Sequence, residues 1–165
     1  INSNDDYEKT VKKIILNETK NLSETDFEEQ INKRLQDYEG VISTKKKVTS
    51  SVNVGNPRLK EDIKQLYRYI CQICETQIKT KGWKSNLQFR EEMRYLTSDG
   101  HHITPLNKGG LDHPSNIICV CPNCHRRLHS GEYEIIFTAE GPKCKNTLSQ
   151  DILPIKLETN HTLIK

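Results

Sequence analysis

Two Cys-x-x-Cys pairs, Cys71-Gln72-Ile73-Cys74 and Cys121-Pro122-Asn123-Cys124, constrain the folding of this 165-residue chain more than any other feature. Four thiolates in two such hooks suit a closed tetrahedral zinc site, which contributes folding free energy outright and leaves no open coordination position. The hooks are separated by 46 residues, whereas simpler four-cysteine sites use about 15–20. A substructure must therefore be inserted between them. Cys119 and Cys144 stand outside the pairs, and Cys119, flanked by Ile117, Ile118 and Val120, reads as a small core residue.

A disulfide framework is not the expectation, because no N-terminal stretch combines a basic flank, an apolar core and a small-residue cleavage site. No apolar run approaches the ~20 residues needed to cross a bilayer. These absences point to a soluble, cytoplasmic chain in which thiolates persist. The sequence starts at Ile1 and its only methionine is Met93, so it reads as a piece of a longer protein. Its net charge of +3 hides an asymmetry: residues 1–40 carry ten acids against six bases, leaving 19 bases against 12 acids, about +7, in residues 41–165. A basic module behind an acidic segment fits a polyanionic partner, although a solvated surface has the same composition.

Periodicity divides the chain into four stretches. Residues 1–42 read as a helical hairpin, with Tyr7, Val11 and Ile14 on one helix (5–17) and Phe27, Ile31, Leu35 and Tyr38 on the next (25–39). Thr25-Asp26-Phe27-Glu28 has the form of a capping box, and Gly40 that of a C-terminal stop. The hairpin carries no nameable chemistry and fits packing, or a connection to an upstream domain or partner protein. Residues 43–57, with Lys45-Lys46-Lys47, Gly55 and Pro57, read as a linker that is either solvated or in contact with phosphates. A helix over 58–69, with Leu59, Ile63, Leu66 and then Ile70 in phase, leads into Cys71 and opens a domain over 58–131. The tail, 132–165, holds one strand at Tyr133–Phe137 and a second extended piece with Ile152, Pro154, Ile155 and Leu157.

The inserted substructure contains His101-His102-Ile103-Thr104-Pro105-Leu106, Gly109-Gly110 and Asn116, and the second hook runs on into His125-Arg126-Arg127-Leu128-His129. On a helix, His125 and His129 are four apart and share one face, while Cys121 and Cys124 share another. One helix can thus brace two metal sites. His101 and His102 lie in a strand-like run, where successive side chains point to opposite sides. That geometry divides their labour, one imidazole binding metal and the other taking a proton near neutral pH. Phosphodiester hydrolysis needs such a pair, a base to activate water and a cation to stabilise developing charge. The Asn116 amide can orient a histidine ring or tie the 109–116 loop together. His113 reads as loop surface.

Cys71–Cys74, Asp99-Gly100-His101-His102-Ile103-Thr104-Pro105-Leu106, Gly109-Gly110, Asn116 and Cys121–His129 closely resemble the HNH (His-Asn-His) endonucleases, in particular the zinc-stapled members of bacterial restriction and phage-defence systems. The resemblance covers about residues 55–131. It implies an α+β chain with a ββα-metal, treble-clef-like core and a four-cysteine structural zinc site, preceded by the helical hairpin. It further implies His102 as general base, His101 and His125 as ligands of a divalent cation (Mg²⁺, Mn²⁺, Ni²⁺ or Zn²⁺), His129 as an available third ligand, and Asn116 as the residue holding the base's loop. The implied reaction is metal-dependent hydrolysis of DNA that leaves 5′-phosphate and 3′-hydroxyl ends. Many relatives carry Glu shortly before the histidine pair; here the nearest acid is Asp99, which is left outside the ligand set.

Arg126 and Arg127 stand where a guanidinium fork can reach flanking phosphates, and Lys81 and Lys84 bracket Trp83 in a stretch suited to tracking a backbone. Trp83 itself fits a core anchor as well as a stacking platform. None of these segments supports base-specific readout. Two other functions share part of the pattern: a non-catalytic zinc module that binds nucleic acid or scaffolds an assembly, and a homing or mobile-element nuclease. A single ββα site makes one nick, so double-strand cutting calls for a second site, as in a homodimer.

Overall fold

The computed structural model describes residues 3–39 and 55–165. Lys45-Lys46-Lys47, Gly40 and the expected linker up to residue 54 lie outside the described residues. Among the described residues, no helix is long and apolar enough to cross a membrane.

Helix α3 (Pro57–Leu66) is the centre of the N-terminal half. Asn56 caps it by accepting the Arg58 and Leu59 backbone N–H groups, and Pro57 at the first helical position has no N–H to leave unsatisfied. Helices α1 (Ser3–Glu18) and α2 (Glu24–Glu39) both pack on α3. Leu16, Phe27, Ile31 and Leu35 close over Leu59 and Ile63 in one core, so the first two helices have no core of their own. Enclosure on several sides also buries polar groups of α3. Asp62 takes a bidentate contact from Arg34 at 2.9–3.2 Å, and Glu61 is met by Lys64 at 2.7 Å, by Gln65 and by the Tyr69 hydroxyl.

Three local expectations need correction. On α1 the buried residues are Ile15 and Leu16, with Thr19 just past its end, whereas Tyr7 and Ile14 are exposed and Val11 is half-buried, because α3 approaches a different stripe of the helix. The cap of α2 is Ser23, which accepts the Asp26 N–H at 3.1 Å and donates to the Asp26 carboxylate, in place of the box at Thr25. Helix α3 does not run straight into Cys71: Arg68 and Tyr69 adopt positive φ, turning the chain into the Ile70–Gln77 bridge that presents the first cysteine hook.

The insertion between the hooks builds a two-stranded pair, β1 (Ile78–Lys79) with β2 (Leu96–Thr97), and a short helix, α4 (Phe89–Glu92), whose Phe89 meets Phe27 edge-on at 5.7 Å. An antiparallel hairpin follows, β3 (Asp99–His102) with β4 (Ile117–Val120), then α5 (Pro122–Ser130). All four residues of β4 are buried, and the strand's period of two divides them between cores. Ile117 and Cys119 face the α1–α3 core, while Ile118 and Val120 face the cysteine side. The expected small core role of Cys119 holds, since its exposure is 0%.

The tail forms a three-stranded antiparallel meander, β5 (Tyr133–Thr138), β6 (Gly141–Asn146) and β7 (Ile152–Pro154). Beyond it the chain is tied back over the core. Lys156 N–H donates to the Gln72 carbonyl and Ile164 N–H to the Ser115 carbonyl. Buried His161 bridges the Tyr67 hydroxyl (2.6 Å) and the Pro114 carbonyl (2.9 Å), pinning the loop just ahead of Asn116.

Candidate active site and metal centres

Helix α5 and its cap contribute donors to both clusters. Cys121 caps it by accepting the Cys124 N–H on its sulfur at 3.4 Å, Pro122 opens the first turn, and Gly131 ends it at φ +80°. The sulfurs of Cys71, Cys74, Cys121 and Cys124 all lie within 4.8 Å of one another, with Cys74 and Cys121 3.6 Å apart. Cys71 is pushed down to about 5, chiefly by the hydrogen bond with Cys124, whose own value is driven up by the same contact. Four soft donors gathered in a largely buried pocket fit a tetrahedral thiophilic ion such as zinc.

The strand register explains the division between the two adjacent histidines. Directly opposed residues of an antiparallel pair share a face. His101 lies opposite Ile118, on the side covered by α5, and His102 lies opposite Ile117, on the α3 side. His101 consequently meets His125 and His129 with ring centroids 5.1 and 5.0 Å away, and one ring nitrogen from each of the three lies within 4.8 Å of the others. His125 Nε2 and His129 Nε2 are 3.0 Å apart. Burial, reinforced by the two neighbouring imidazoles, lowers His101 to about 3, so it is neutral with a lone pair free at physiological pH. Three convergent imidazole nitrogens on the rim of an open cleft of about 640 Å³ fit a divalent cation that keeps positions for other ligands.

Two carboxylates absent from the expected site set hold the histidines in place. Asp99 Oδ2 accepts from His125 Nδ1 at 2.9 Å, leaving Nε2 turned to the cluster. Asp112 Oδ1 is 2.9 Å from His102 Nε2, and Asp112 Oδ2 accepts the Asn56 N–H at 2.6 Å. A Cβ on Gly55 would stand 2.5 Å from His102 Cε1, so this contact is closed over by backbone that only glycine can supply. Asp99 stands two residues before His101 and is the nearest acid to the histidine pair in sequence, the one signal that could have placed it. Asp112 carries no such signal, being brought in by the loop.

Asn116 takes the second of its two expected roles. It ties the loop, accepting the Thr104 N–H at 2.8 Å and donating to the Thr104 and Leu111 carbonyls at 2.9 and 2.8 Å, and it does not touch a histidine ring. Gly110 is required there because a Cβ would fall 1.8 Å from the Thr104 carbonyl oxygen. His113 is half-buried and caps the turn at 114–116 by accepting the Ser115 N–H, a structural use of a residue that reads as loop surface.

Among the expected nucleic-acid contacts, Arg126, Lys81 and Lys84 are exposed. Arg127 is engaged elsewhere, donating to the Tyr133 hydroxyl at 2.8 Å and lying 3.5 Å from Glu132. Trp83 is half-buried against the α1–α3 core and donates its indole N–H to Glu92, which makes it an anchor.

A two-stranded hairpin and a helix that converge on a histidine cluster, braced by four cysteines, define the ββα-metal class of domain. Residues 71–131 match the model of the HNH endonuclease family, and this part of the chain belongs to that family. The chain is 36% identical over 78 residues to the type IV methyl-directed restriction enzyme EcoKMcrA of Escherichia coli (strain K12), covering 47% of this chain and 25% of that protein. It is 28% identical over 78 residues to anaredoxin of Nostoc sp. (strain PCC 7120), covering 47% of this chain and 80% of that protein. Among solved structures, the modification-dependent TagI restriction endonuclease matches at 26% identity and a TM-score of 0.53, over 67% of this chain and 35% of that one. The chain thus spans a quarter to about a third of the length of the two restriction enzymes it matches.

Proposed function

We propose that this chain is the nuclease part of a restriction-type enzyme and hydrolyses DNA phosphodiester bonds by a histidine general base and a single divalent cation. The observation that carries this reading is the separation of His101 from His102 by the strand, one nested in the His125–His129 cluster and the other facing Asp112.

His102 is the general base. Its Nε2 is occupied by the Asp112 carboxylate at 2.9 Å, so Nδ1 carries the lone pair that accepts the proton of the attacking water. Asp112 fixes that tautomer and stabilises the imidazolium that results, while Asn116 holds the span from Thr104 to Leu111 so that Asp112 stays in register with His102. His101, His125 and His129 hold the cation, with Asp99 orienting His125. A divalent ion bound there supplies Lewis-acid stabilisation of the charge on the phosphate and the leaving oxygen. Lys60 and Lys108 line the same cleft and add positive potential where the substrate phosphate enters. Cys71, Cys74, Cys121 and Cys124 hold a structural zinc that sets the pitch of α5. The kinship with two restriction enzymes favours a role in restriction and defence against foreign DNA over a homing function.

The test is plasmid nicking by the purified chain in EDTA, Mg²⁺, Mn²⁺ or Ni²⁺, beside His102→Ala. Metal-dependent nicking that falls by roughly 10²–10⁴-fold in the variant, the range for a lost general base, with the melting temperature unchanged, is the expected result. Undiminished nicking in the variant removes His102 from the role. Salt-sensitive DNA binding with no cleavage in any metal favours a non-catalytic zinc module.

A further inference from the structure

Helix α1 lies outside the matched family region, yet it carries Lys9, Lys12 and Lys13 along a cavity of about 640 Å³ that reaches Ser98 and Asp99. Asp99 is the carboxylate that orients His125, so this cavity begins next to the histidine cluster. A second cavity, of about 390 Å³, continues the groove: it shares Leu16 and Arg94 with the first and adds Lys20 and Arg90.

The lining carries seven basic side chains against the carboxylates of Glu8, Glu91 and Asp99. Among the described residues, none of Lys9, Lys12, Lys13, Lys20, Arg90 or Arg94 has a carboxylate within ion-pair distance, although most other basic residues of the N-terminal half do. Lys12 donates to the Leu96 carbonyl and rests 4.1 Å above the Tyr69 ring. Arg90 is a sharper case, because all three guanidinium nitrogens are buried with no acceptor and the group sits 4.1 Å over the Phe27 ring. A guanidinium withdrawn from water without an acceptor is costly, and the Phe27 ring face is what steadies this charge behind the cavity wall. Lys9 and Lys20 are eleven residues apart on or just beyond one helix, about 16 Å at 1.5 Å per residue. That length is enough to pass more than one phosphate of a strand.

We propose that the groove between α1 and residues 90–94 is a track for the phosphodiester backbone of the DNA strand leading away from the histidine cluster. This inference rests on the nuclease reading above and assigns to the acidic N-terminal segment a substrate-holding role through its one basic face. The anions it takes are backbone phosphates, so it adds affinity without sequence preference.

The test uses the full chain carrying His102→Ala, so that DNA stays intact, and measures binding of a fluorescent duplex against salt. Lys9→Gln/Lys13→Gln, at two exposed positions, is expected to weaken binding and to flatten the slope of log affinity against log salt by about 2, the value for two lost phosphate contacts. Lys143→Gln/Lys145→Gln in β6 removes the same charge elsewhere and is expected to leave the slope unchanged. A slope indifferent to Lys9 and Lys13, or one flattened equally by the β6 pair, overturns the track. If wild-type chain still nicks plasmid in either case, the nuclease reading stands without it; a wild-type chain that neither nicks nor binds DNA overturns both.

Discussion

The four-cysteine and three-histidine clusters both draw donors from the nine-residue helix α5 and its cap, and differ in how they meet solvent. Three of the four cysteines are buried, and the pocket is filled by its own ligands. Of the histidines, only His101 is buried; His125 is half-buried, His129 is exposed, and the group opens on a cleft. A closed donor set binds tightly and holds the fold, whereas an open one leaves room for substrate. The comparison teaches that one rigid helix can serve both ends, the closed site fixing the pitch at which the open site presents its nitrogens.

The largest expected effect falls on the closed site. Cys124→Ser, or zinc removal by a strong chelator, is expected to unfold the hairpin and α5, since structural zinc supplies on the order of 10 kcal/mol of folding free energy; circular dichroism and hydrogen exchange read this directly. A fold that survives chelation breaks the contrast between the two sites. Asn116→Ala comes next, because it removes three part-buried hydrogen bonds spanning Thr104 to Leu111, with an expected loss of about 2–3 kcal/mol by denaturant melts.

At the open site, Asp99→Asn is expected to weaken divalent-ion binding by about 10–100-fold, the range for removal of a ligand's orienting carboxylate, with the cysteine site still filled. Titration calorimetry separates the two populations, and an equal loss at both sites would show that they are not independent. The smallest effect belongs to His161, whose value is lowered by burial despite the Pro114 carbonyl. Protons then bind the unfolded chain more readily, so stability is highest above the ordinary histidine range and falls as pH drops through about 6.5. His161→Gln is expected to flatten that part of the stability–pH curve, which melting temperatures between pH 5 and 8 measure.

The metal-binding half is legible because its information is local. A Cys-x-x-Cys hook, an i, i+4 histidine pair and adjacent histidines on a strand each restrict geometry through covalent spacing alone. The regions that resist reading depend on partners distant in sequence. Strand β6, Gly-Pro-Lys-Cys-Lys-Asn, has no apolar alternation and is a strand because β5 and β7 offer it backbone partners on both edges. The buried stripe of α1 includes Ile15 and Leu16 and excludes Ile14, a choice made by where α3 lies. Asp112 joins His102 only because Asn116 folds the intervening loop back on itself.

The amino-acid sequence by itself determined the donor sets, the helix that bears them and the opposite facing of His101 and His102, because helical and strand periodicities act over a few residues. Tertiary structure decided the rest. It put β4 between two cores, set Asp99 and Asp112 behind the histidines, and laid the lysines of α1 along a groove that ends beside the site, since each of these contacts joins segments whose separation no local pattern encodes.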